Sequence, residues 1–113
     1  MKASELRIGN LVEYQINDEL EEPKNFWVEN VIDAEDLSYI DKSQNYRAIQ
    51  LTEEWLLKFG FECRVVYKTK IWMNEIITLF EKENSQYELN WGRHIKYVHE
   101  LQNIHYAFTG IEL

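Results

Sequence analysis

With 113 residues, 45% of them apolar and 14% aromatic, the chain can bury a core of its own, which excludes a disordered chain or a mini-domain that needs staples. A net charge of −8 opposes non-specific binding to nucleic acid or to an anionic membrane. The single cysteine, Cys63, excludes an internal disulfide and a zinc site built on cysteine pairs.

One domain spanning 1–113 is the expectation from this length. The charge is uneven: residues 1–50 hold 11 acids and 5 bases (net −6), and residues 51–113 hold 9 acids and 7 bases (net −2). Met1 to Arg7 lacks an apolar core segment and no run approaches transmembrane length, so a cytoplasmic protein is expected.

In chain order, Gly9-Asn10 marks a turn before the alternating segment Leu11 to Ile16, in which Val12, Tyr14 and Ile16 share a side as in a half-buried strand. Asn17 to Asn25 reads as a polar, acidic loop, and Phe26 to Ile32 as the next strand. This opening, with Arg7 to Val12 at its head, resembles the start of small SH3-like barrels. Asp33 to Leu37 makes an acidic turn or one turn of helix.

Thr52 to Gly60 carries the signals of a short helix: Thr52 as cap, Glu53 and Glu54 at the positive end of the dipole, and Gly60 as the left-handed stop. Trp55, Leu56 and Phe59 share a face, and Leu57 lies off it, which predicts burial on more than one side. Glu62 to Lys68 then alternates as a strand, with Cys63, Val65 and Tyr67 on one side and Cys63 read as a core thiol. Arg64, Val66 and Lys68 fall on the other side, with Lys70 in line if the strand continues. Ile71 to Lys82 fits helix or strand; the β-branched and apolar run from Ile76 to Phe80 favours a strand in its second part. Gln86 to Trp91 is a return strand that Gly92 breaks.

Ile95 to Gly110 is the clearest helix. At 100° per residue, Tyr97, Val98, Leu101, Ile104 and Phe108 form an apolar face, while His99, Gln102, Asn103 and Tyr106 gather on the other. The predicted fold is α+β: an antiparallel sheet covered by a short central helix and a C-terminal helix.

Candidate chemistry is sparse. His94, His99 and His105 do not share a helix face, so no metal site is expected, and His105, on the apolar stripe, reads as a satisfied core or boundary residue. No nucleophile elbow, phosphate loop or metalloprotease helix is present. Neither a catalytic residue nor a cofactor is expected. Three sets remain as contact surfaces. The acidic set, Asp18, Glu19, Glu21, Glu22, Glu29, Asp33, Glu35 and Asp36, is either a solvated loop or a surface for a basic groove on a nucleic-acid-handling protein. Arg64, Lys68 and Lys70 are candidate RNA contacts beside exposed aromatics. His99, Gln102, Asn103 and Tyr106 form either a partner-contact face or a buried polar network.

Three stretches, Leu6-Arg7-Ile8-Gly9-Asn10-Leu11-Val12, then Leu51 to Phe61, then Tyr97 to Gly110, in this order and spacing resemble a family of small, mostly uncharacterised proteins encoded in phages, prophages and mobile elements of Bacteroidetes-type bacteria. The resemblance spans nearly the whole chain and assigns no catalytic residues. It implies an anti-CRISPR-type inhibitor in the cytoplasm of a bacterial host, one that binds an RNA-guided nuclease or its guide-RNA complex without catalysis. The type VI-B effector Cas13b is the preferred target. The alternatives are a phage accessory or structural interaction module and a small RNA-binding domain.

Overall fold

The computed structural model describes residues 1–16, 26–42, 45–83, 86–90 and 92–113. The fold is α+β, and the described residues form two antiparallel sheets of three and five strands and three α-helices. The chain divides into two compact units, Met1–Ile49 and Gln50–Leu113.

In the first unit, β1 (Leu11–Ile16) is the central strand, flanked by β2 (Phe26–Val31) and β3 (Tyr46–Ala48). Gly9, at φ +98°, takes the positive-φ place in the turn closed by Asn10 N–H donating to Arg7 C=O at 3.0 Å. The Asn10 side chain accepts from Arg7 N–H at 2.7 Å, which explains how a polar residue is fully buried there. Alternation along β1 buries Val12 completely and turns Glu13 to the other face. α1 (Ala34–Tyr39) lies against the Val12 face, where Val12, Ile32 and Ile40 form a core with Leu37 and Tyr46. The expected acidic turn is thus this helix, closed by a capping box in which Asp33 Oδ1 accepts from Asp36 N–H (2.8 Å) and Asp36 Oδ2 from Asp33 N–H (3.0 Å). The likeness to an SH3-type barrel goes no further than this three-stranded sheet among the described residues.

The second unit opens with α2 (Glu53–Lys58), capped as expected by Thr52 Oγ1 and followed by Gly60 at φ +83°. Leu56 is fully buried, but Leu57 is 62% exposed, so the helix is not buried on more than one side as expected. A five-stranded meander follows: β4 (Glu62–Val66), β5 (Thr69–Met73), β6 (Thr78–Lys82), β7 (Gln86–Leu89) and β8 (His94–Ile95), neighbours in that order. The ambiguous stretch is therefore strand in both parts, with a turn between in which Asn74 Oδ1 accepts from the N–H groups of Ile76 and Ile77. Pairing register aligns Trp72, Leu79 and Leu89 on one face, and Tyr87 and Ile95 on the same face; all five are buried. α2 meets this face where Glu53 reaches Lys70. α3 (Val98–Thr109) adds Val98, Leu101 and Ile104 to the buried set.

Cys63 is exposed, not a core thiol. It belongs to an edge strand whose five residues are all exposed, and alternation along such a strand chooses between two open faces. The strand also ends earlier than expected. Tyr67 (φ +49°) and Lys68 (φ +66°) form a two-residue turn with neither glycine nor asparagine, so the hairpin carried no turn signal in its residue types.

Candidate functional site

Of the acidic set, Asp18, Glu19, Glu21 and Glu22 lie outside the described residues. The other four do not form one surface. Glu29 faces solvent from β2, opposite Glu13 on the face away from α1. Glu13 in turn accepts from Arg47 on β3 at 3.2 Å, and the Arg47 guanidinium lies 4.1 Å from the Trp27 ring centre. Asp33 and Glu35 are exposed at the start of α1, on the opposite side of the sheet. Asp36 is turned inward and accepts from Tyr46 O–H at 2.7 Å and Asn30 Nδ2 at 3.3 Å. Burial acts most strongly on the Asp36 carboxyl and pushes it up. Hydrogen bonds from Asp33 N–H, Tyr46 and Asn30 outweigh it and hold the group below the ordinary aspartate range. Asp33 and Asp36 are committed to structure; Glu29 and Glu35 are the exposed acids free of structural duty among the described four.

The basic set is also split. Because the chain reverses at Tyr67-Lys68, Lys70 sits on β5 opposite Val65, while Arg64 sits opposite Ile71. Alternation then puts Arg64 and Lys70 on opposite faces of the hairpin, contrary to the expected alignment. Lys70 Nζ donates to Glu53 Oε1 at 2.8 Å. Arg64 and Lys68 are exposed, and the Tyr67 ring at the hairpin tip is 97% exposed. Two consecutive left-handed residues without glycine cost on the order of 1–2 kcal/mol each, so the tip carries strain as well as an open aromatic ring.

The polar face of the last helix comes apart along its length. His99 and Gln102 are buried, Asn103 is half-buried, and Tyr106 is exposed. The predicted apolar face changes too, because Tyr97 and Phe108 are exposed, at 40% and 61%. The first turn of α3 is buried nearly all round, and the last is open. Tyr97 is the N-cap rather than a core residue, its ring stacked on that of His99 with centroids 5.7 Å apart, and Glu100 Oε1 accepts from the N–H groups of Lys96 and Tyr97. Of the two places expected for His105, core or boundary, it takes the boundary one, half-buried, with Nδ1 2.9 Å from the Ile111 carbonyl.

Sequence reading missed a constellation that only the sheet register assembles. Glu53 from α2, Lys70 from β5, Glu81 from β6 and Tyr87 from β7 converge on the inner face of the five-stranded sheet. The Lys70 ammonium, and a hydrogen bond with Glu81, hold the Glu53 carboxyl below its usual range. Burial, then the hydrogen bond and repulsion from Glu53, push Glu81 up. Burial and the neighbouring Glu81 charge raise the Tyr87 phenol. Two carboxylates with opposite shifts have the form of an acid/base pair, though none of the four residues lines the open groove of about 800 Å³ elsewhere in this unit. That groove runs past Arg64, Met73, Ile76, His105 and Ile111. In the first unit, Tyr14, Tyr39, Lys42 and Tyr46 line a smaller cleft of about 230 Å³. Among the described residues no three His, Cys, Asp or Glu side chains are grouped to hold a metal ion, and no helix is long and apolar enough to cross a membrane. Comparison of the chain with protein-family models, curated proteins and solved structures finds no match.

Proposed function

We propose that the protein acts by binding, without turnover, as an anti-CRISPR-type inhibitor of an RNA-guided nuclease, with the type VI-B effector Cas13b or its guide-RNA complex as the preferred target in the bacterial cytoplasm. The observation that carries the binding reading is the charge of the first unit, 11 acids against 5 bases, with Glu29 and Glu35 exposed and in no ion pair among the described residues. A nuclease that holds guide RNA presents a basic groove, and complementary potential supplies both rate and orientation. The choice of target rests on the resemblance of the three sequence stretches.

Co-expression of the tagged protein with a panel of CRISPR effectors, with and without guide RNA, tests this reading. Recovery of the type VI-B effector supports it. Recovery of none, with the protein folded and soluble, contradicts it. Charge reversal belongs at Glu29 and Glu35, because reversal at Asp33 or Asp36 would also remove the helix cap. A second reading, an RNA-binding domain, is favoured by the exposed Tyr67 ring beside Lys68 and Arg64. It requires RNA affinity that falls steeply with salt.

A further inference from the structure

We propose that the protein self-associates through β4, whose free edge pairs antiparallel with β4 of a second copy, centred on Val65. The two edges of the five-stranded sheet are treated differently. Beyond β8, the segment at Gln50-Leu51 closes the edge, with Gln50 bridged to Tyr97 and Leu51 N–H donating to Lys96 C=O at 2.9 Å. Beyond β4 no strand is paired among the described residues, and all five residues of β4 are exposed. An open edge of this kind is a template for another strand.

The phase of the ladder follows from the turn. A two-residue hairpin loop closes on a hydrogen-bonded pair, here Val66 with Thr69. Arg64 and Glu62 therefore also bond inward to β5, and the N–H and C=O groups of Cys63 and Val65 point outward. Self-pairing through those groups allows three registers. Cys63 against Val65 would bring Arg64 face to face with Arg64 of the second copy, a like-charge contact. Cys63 against Cys63 would need Phe61 N–H, which is already donated to Leu56 C=O at 3.0 Å. Val65 against Val65 meets neither obstacle. It sets Val65 beside its own copy and Val66 opposite the stem of Arg64, and the ladder ends where each chain turns at Tyr67-Lys68. Val65 (66%) and Val66 (45%), exposed in the single copy, are then each brought against the second copy, on opposite faces of the joined sheet. So short a seam gives a weak, concentration-dependent dimer.

This inference stands apart from the identity of any nuclease target. Light scattering across a concentration series should show wild type passing from monomer to dimer. Val65→Lys, which puts two ammonium groups at the centre, should remain monomeric with an unchanged circular dichroism spectrum and melting temperature. Wild type that stays monomeric up to its solubility limit, or a Val65→Lys variant that dimerises equally, overturns the proposal. Disulfide trapping tests the register. The double variant Cys63→Ser, Val65→Cys should cross-link on mild oxidation. Wild type should not, since the two Cys63 residues are offset by four positions, about 13 Å. Any other pattern overturns the register.

Discussion

Asp36 belongs to an acidic run that reads as a docking surface, yet its two oxygens accept from the Tyr46 hydroxyl, the Asn30 amide and the Asp33 N–H. It ties α1 to the sheet. Tyr46→Phe removes one charge-assisted bond and should cost about 1–2 kcal/mol of first-unit stability in urea unfolding. The carboxyl is held below the ordinary aspartate value of 3.8, so the stability it contributes is complete above that value and is lost as pH falls through the lower folded-state value. Unfolding midpoints of the first unit followed from neutral pH downward should show that loss, and Asp36→Asn should flatten it. Glu81 has the opposite sign. Its carboxyl is raised, so its contribution is present at low pH and fades as pH rises through the folded-state value. Glu81→Gln should raise the melting temperature of the second unit near neutral pH, with the gain shrinking in acid. A variant that melts lower at neutral pH would show that the carboxylate pair is not under repulsive strain.

Among the elements, α3 is the one whose pattern and packing diverge most. Leu101 is fully buried and Phe108 is 61% exposed, though both lie on the same stripe of the helical wheel. Leu101→Ala should cost about 2–5 kcal/mol, and Phe108→Ala should stay within about 0.5 kcal/mol, both by chemical denaturation. Equal costs would mean that the last turn is covered. The wheel reports residue type around an axis and says nothing of how far along that axis the cover extends, so Tyr97 and Phe108 on the apolar stripe are exposed, and of the two readings left open for His99 and Gln102 the burial fits the buried one. Local signals did reveal the elements that local chemistry decides: β1 by its alternation, the Thr52 cap, the Gly60 stop, and Ile76 to Phe80 as strand in its latter part. The three-residue β3 and two-residue β8 are too short to carry a period. Cys63 and Leu57 have core-forming side chains, and nothing near them in sequence says that β4 is an edge or that α2 has one covered side. The Glu53–Lys70–Glu81–Tyr87 group joins four elements, so its legibility depends on register, which sequence alone did not supply.

At the scale of the whole molecule, the proposed binding function rests on the asymmetry of charge between the first 50 residues, at −6, and the rest, at −2. Opposite-charge attraction across solvent decays over a Debye length of about 8 Å at physiological salt, so affinity for a basic partner should fall as salt rises. Reversal of Glu29 and Glu35 together should slow association more than it speeds dissociation. The most direct measurement is a titration of the protein into a guide-loaded type VI-B effector, with target-RNA cleavage as the readout. The account predicts that cleavage falls linearly to a floor at a fixed molar ratio, as for a stoichiometric inhibitor, and that Glu29→Lys with Glu35→Lys restores it at the same dose. Undiminished cleavage at a large molar excess of folded protein would contradict it.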